Sequence, residues 1–232
     1  GNTPAPHRAF LARALNVLAP HYERLVIPCV GKFASVESAV TSLNWKMHQI
    51  ETSDISLFST VLGRYVMQKP IDDLNIQLNI KDADSVHLVD HVEVMYQQKL
   101  AQMEKNANSY HNKLYIEDLI RRKDVHKKSI EQGMNAMRSK IGGIKYDIRD
   151  AVEHLESAST DEKAVIWINP PAFQDGYIKM FDTVGKITWD EPDIQQFDSK
   201  SGYKKLEEIE NGAEALVLRL RFLSKSKDGV FR

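Results

Sequence analysis

Between Ala9 and Leu18 the apolar residues Phe10, Leu11, Ala14, Leu15 and Leu18 recur at intervals of three and four. That is the period of an amphipathic helix, and Pro20 closes the run. Leu25–Val30 is a short apolar run ending at Gly31, and Phe33–Leu43 resumes helical spacing through Ala34, Val36, Ala39, Val40 and Leu43. This pattern predicts strand, glycine turn, helix. Lys46–Glu51 predicts a second strand, followed by Asp54 and a helical run through Ile55, Phe58, Val61, Leu62 and Val66. Residues 1–67 thus predict helix, strand, helix, strand, helix, the opening of an α/β sheet.

Leu74, Ile76, Leu78 and Ile80 then alternate with polar residues, so a half-exposed strand competes with a helix start there. From His91 to Glu156 the chain is long, polar and almost free of proline, with Met95, Leu100, Met103, Tyr110, Leu114, Ile116, Leu119 and Ile120 at helical intervals. Several helices are predicted, broken at Gly142 and Gly143, with Ile144–Leu155 as a further one. Ala164–Ile168, AVIWI, is a continuous apolar run of the kind a parallel strand covered on both faces requires. Gly185–Trp189 and Ala215–Phe222 predict more strands. The organisation is therefore an N-terminal helix with one half of a sheet over residues 1–90, a helical insertion over 91–160, and the second half of the sheet over 161–232. The polar run Ser224–Arg232, directly after an apolar segment, predicts further elements past the C-terminus.

A chain of 232 residues with 42% apolar residues suffices for one large domain, or one domain with an insertion. Its 31 basic and 32 acidic side chains nearly cancel, which excludes a uniformly basic nucleic-acid coat. The balance is uneven along the chain. Residues 97–145 carry eleven Lys or Arg against five Asp or Glu, a net +6 that leaves −7 for the remainder. Arg121, Arg122, Lys123, Lys127 and Lys128 are the densest cluster, suited to phosphate contacts or to a solvated helix face. A single cysteine, Cys29, excludes an intrachain disulfide and a cysteine zinc cluster, and points to a reducing cytoplasm. No apolar stretch of the ~18 residues that a membrane helix needs is present. His87 and His91 lie four apart but lack the acidic partner of a metal spacing such as HExxH, so no metal is expected.

The most specific local signal is Asn169-Pro170-Pro171 directly after AVIWI. Two prolines fix φ and donate no backbone hydrogen, so a rigid strand-ending turn is one reading. The other is the amine-recognising loop that such a triplet resembles in class I methyltransferases. An exocyclic amine delocalises its lone pair into the ring and is a poor nucleophile. The side-chain carbonyl of Asn169 and the backbone carbonyl of Pro170 would accept its hydrogens and free that lone pair. Gly31, between a strand end and a helix start, lets a cofactor approach the backbone or merely relieves crowding. Asp54 stands where an acid in this architecture accepts ribose hydroxyls, or where a helix needs an N-cap.

The succession Pro28-Cys29-Val30-Gly31, Asp54-Ile55-Ser56-Leu57, a long helical insertion and Asn169-Pro170-Pro171-Ala172-Phe173 resembles the N6-adenine DNA methyltransferases in which the cofactor half precedes the catalytic loop. The nearest resemblance is to phage-encoded antirestriction adenine methyltransferases. It implies a Rossmann-like, class I methyltransferase fold, with S-adenosylmethionine as cofactor, DNA as partner, and the host cytoplasm as the place of action. It further implies that Pro28, Val30 and Gly31 hold the methionine moiety, Asp54 the ribose, and Asn169, Pro170 and Pro171 the target amine. Phe173 would stack on the flipped base, and the insertion would contact DNA.

Three positions depart from the family pattern: Ile27 replaces an acid, Phe33 and Ala34 replace a second glycine, and Ala172 separates Pro171 from Phe173. These departures favour one alternative, a non-catalytic scaffold binding DNA or a host defence protein. The other is the same chemistry on an amine of RNA or a glutamine amide, because the loop recognises an amine rather than DNA as such.

Overall fold

The computed structural model describes residues 5–41, 44–79, 89–105, 107–168, 186–192 and 199–219. Among these residues five strands, β1 (Arg24–Pro28), β2 (Ile50–Ser53), β4 (Lys145–Asp147), β5 (Ala164–Ile168) and β7 (Leu216–Arg219), form one sheet in the order β4-β2-β1-β5-β7. Every pairing in it is parallel. Numbered within this sheet alone, the order is 3-2-1-4-5, that of a doubly wound α/β fold, as the sequence pattern and resemblance imply. A separate antiparallel pair joins β3 (Gln77–Leu78) to β6 (Ile187–Thr188).

Alternation along the strands assigns the helices to two faces. Leu25 and Ile27 of β1 and Val165 and Trp167 of β5 pack with Leu11 and Leu15 of α1 (Ala5–Leu18), Val36 and Ala39 of α2 (Ala34–Thr41), and Leu62 and Val66 of α3 (Leu57–Val66). Val26, Ala164, Ile166 and Ile168 point the other way. They meet Leu155 and Ala158 of α7 (Ala151–Ser159) and Leu206 of α8 (Ser199–Gly212). Burial on both sides is why AVIWI is apolar throughout.

The helical segment comprises α4 (His91–Lys105), α5 (Tyr110–Arg121) and α6 (Lys123–Ile141). Ser109 caps α5 by accepting the Asn112 amide, and Met134 and Ile141 of α6 enter the core beside α2 and α3. Gly142 ends α6, and Gly143, at φ +97°, turns the chain into β4.

Two expectations are corrected here. Ile144–Leu155 is not one helix: Lys145–Asp147 adds a strand to the edge of the sheet, and α7 begins only after Asp150, whose carboxylate caps it by accepting the Val152 and Glu153 amides. The second strand lies later than expected, because Met47–Gln49 forms a 3₁₀ turn and pairing starts at Ile50. At Leu74–Leu78 the strand alternative holds, as a two-residue β3 after a 3₁₀ turn.

Ion pairs tie the strands laterally. Arg24 bonds Glu51 and Asp161, each at 2.6 Å, and Lys145 bonds Glu51 at 2.8 Å. Among the described residues no helix is long and apolar enough to cross a membrane.

Candidate active site

Parallel register aligns the carboxyl ends of three strands: Pro28 lies beside Ser53, and Ser53 beside Asp147. On its other side β1 pairs with β5; of the described helices, α2 after β1 packs on one face of the sheet and α8, before β7, on the other. The strand order reverses between β1 and β5, and in open α/β sheets ligands bind in the crevice at such a switch point.

The turn after β1 borders this crevice. Cys29, Gly31 and Phe33 all have positive φ, at 58°, 56° and 60°. The Val30 amide donates to the Ser53 carbonyl at 3.0 Å, and the Phe33 amide to the Val30 carbonyl at 3.1 Å. Val30 and Phe33 are buried in the core, so the turn is anchored from beneath. Pro28, also buried, ends the strand. Among the described residues, nothing lies within 4 Å of where a Cβ would stand on Gly31.

Both polar atoms of the Gly31 backbone are held by side chains, one from the β2–α3 connection and one from the first turn of α3. Its amide donates to Asp54 Oδ2 at 2.9 Å, and its carbonyl accepts from Ser59 Oγ at 2.8 Å. The second oxygen of Asp54 accepts the Ser56 amide at 2.9 Å. Asp54 is thus not the cap of α3; Ser56 is, accepting the Ser59 amide at 3.1 Å. Tyr146 of β4 donates its hydroxyl to the Asp54 carbonyl at 2.8 Å, with Thr60 Oγ1 3.1 Å away. Its ring lies 5.8 Å from that of Phe33.

Electrostatics leave the neighbouring groups neutral. Burial, followed by the charges of Asp54 and Asp150, pushes the Cys29 thiol up, away from a reactive thiolate. Burial first and Asp54 second raise the Tyr146 hydroxyl, which remains a donor. His154 of α7 lies 2.7 Å from Ser53 Oγ, and its pKa is lowered to about 4 by burial and, less, by Arg149.

The five clustered cations separate into two groups. Lys123 and Lys127 reach back to α4 and pair with Glu93, at 3.1 and 3.0 Å; that carboxylate is only 3% exposed. Burial alone would raise Glu93, but the bonds from Gln97, Lys127 and Lys123 hold it down at about 2. Arg121 and Arg122 share Asp118, at 3.1 and 3.8 Å, and stay exposed. Lys128 is exposed.

Asn169, Pro170, Pro171 and Phe173 lie outside the described residues; β5 is described up to Ile168. His87 lies outside them too, while His91 Nε2 bonds the Lys69 carbonyl at 3.0 Å.

A family model described as phage DNA adenine methylase-like domain 1 matches residues 1–229. The chain belongs to that family. Membership in the phage DNA adenine methylase-like family supports DNA adenine methyltransferase activity in general, with DNA as substrate. No curated protein and no solved structure matches the chain.

Two residues of this constellation, Ser59 and Tyr146, escaped the sequence reading, and Ser56, though part of the Asp54-Ile55-Ser56-Leu57 succession, had no role there. Serine two residues past the acid is a capping signal. Tyr146 is a lone aromatic between Lys145 and Asp147 in a three-residue edge strand, too short to show a period.

Proposed function

We propose that the protein transfers a methyl group from S-adenosylmethionine to the N6 amine of adenine in DNA, and that this modification protects phage DNA from host restriction in the cytoplasm. The observation that carries this reading is the pinned glycine turn over the switch point of a 3-2-1-4-5 sheet, in a chain of the phage DNA adenine methylase-like family.

The residues present fit the donor. Among the described residues nothing fills the space beyond the Gly31 Cα, so a ligand can lie against the backbone there. Each Asp54 oxygen accepts one amide, and a carboxylate oxygen has room for a second donor such as a ribose hydroxyl. When bound, S-adenosylmethionine supplies a sulfonium methyl group open to attack by an amine.

Gly31, backed by Pro28 and Val30, would seat the methionine part of the donor, and Asp54 would orient its ribose. Asn169 and the Pro170 carbonyl would accept the hydrogens of the adenine amine, directing its lone pair towards the methyl group. Pro171 would keep both acceptors rigid, and Phe173 would stack on the extruded base. The exposed Arg121, Arg122 and Lys128 suit contacts to DNA phosphates.

The test incubates the protein with labelled S-adenosylmethionine and unmodified duplex DNA, then digests the DNA to nucleosides. Label in N6-methyladenine is expected. Label in cytosine, in RNA or in protein instead, or donor binding without any transfer, would overturn the assignment.

A further inference from the structure

The glycine turn cannot hold its own shape. Two non-glycine residues, Cys29 and Phe33, stand in the left-handed region on either side of Gly31. Each such residue is strained and persists only where its surroundings over-determine it. The over-determination is visible as a chain of buried hydroxyls. Ser59, fully buried, donates to the Gly31 carbonyl and accepts from Ser56 Oγ at 2.7 Å. Tyr146, 5% exposed, fixes the Asp54 carbonyl, and the Asp54 carboxylate in turn receives the Gly31 amide. With its hydrogen committed to Asp54, Tyr146 accepts from Thr60. The Tyr146 ring also presses on α3: a Cβ at Gly63 would come within 2.5 Å of it. The two peptide planes around Gly31 are therefore set by two side-chain oxygens, Asp54 Oδ2 on the amide and Ser59 Oγ on the carbonyl.

We propose that Ser59 and Tyr146 are positioning residues for the methyl donor, holding the peptide planes of Gly31 in the geometry that receives it. This rests on the donor reading above and names two residues that the sequence motifs do not contain. Neither touches the donor. Their effect is on binding alone, because the turn contacts the donor equally before and during transfer.

The experiment measures S-adenosylmethionine binding by calorimetry, and steady-state transfer to duplex DNA, for the parent, Ser59→Ala and Tyr146→Phe. Each substitution removes one oxygen atom and leaves the packing volume nearly unchanged. Loss of one such hydrogen bond predicts that the Kd and KM for the donor rise about fivefold to tenfold. The kcat and the KM for DNA should stay at parental values, a split that general loosening of the fold would not produce. If Ser59→Ala fails to fold, Tyr146→Phe alone decides. Unchanged donor affinity in a folded variant overturns the positioning role while leaving the donor reading intact. A parent that binds no S-adenosylmethionine overturns both.

Discussion

Asp54 Oδ2 accepts the Gly31 amide at 2.9 Å, so the acid after β2 is tied directly to the turn after β1. The two cofactor signals read separately from the sequence are therefore one constellation. A change at either should be felt at the other.

Gly31→Val tests the open side of this turn. At φ +56° any side chain is strained, and with no described atom within 4 Å the cost is backbone strain rather than a clash. A stability loss of roughly 1–2 kcal/mol is expected, with a cooperative melting curve retained. The added side chain would fill the space proposed for the donor, so calorimetry should find S-adenosylmethionine binding abolished. Parental affinity in the folded variant would remove Gly31 from the site.

The division among the five cations predicts two phenotypes. Replacing Arg121, Arg122 and Lys128 together by Ala should leave the melting temperature within a few degrees of the parent. The salt dependence of DNA binding should flatten by roughly 0.9 log units per lost contact. Replacing Lys123 and Lys127 leaves buried Glu93 without its two cations and should destabilise the fold by about 3 kcal/mol. Thermal melts beside DNA titrations at several salt concentrations separate the two. An unaltered salt slope in the triple variant would assign those charges to solvent.

The sheet was legible where periodicity is long and burial two-sided. AVIWI, the run up to Gly31 and the spacing of α1, α2 and α3 each follow from which face a side chain must bury. β4 was hidden because an edge strand of three residues buries only Tyr146. Local sequence therefore continued the helical reading through it. The cations looked alike along the chain because charge type does not reveal a partner; Glu93 lies thirty or more residues before Lys123 and Lys127. Asp54 as cap or ligand was undecided locally, since only the fold brings the Gly31 amide to it.

Buried His154 predicts a pH dependence of stability. Its folded pKa, about 4, lies below the roughly 6.5 of an unfolded histidine. The unfolded chain thus binds more protons between these values. The stability contribution is fully present above about pH 6.5, falls as pH drops, and levels off below about 4. His154→Gln should remove this slope, which urea titrations at pH 4, 5, 6 and 7 would read. A parent and variant that lose stability in parallel would mean that His154 is not held neutral.

The central claim, methyl transfer to an adenine amine, is tested most directly by single-turnover transfer from labelled S-adenosylmethionine to duplex DNA, parent against Asn169→Ala. The substitution leaves both prolines and β5 in place, and calorimetry confirms that each protein carries donor before the rates are compared. Removal of one preorganised acceptor predicts a rate lower by about 10² to 10³, with the remaining product still N6-methyladenine. Equal rates for the two folded, donor-loaded proteins would contradict the account, reducing Asn169 to the end of a strand.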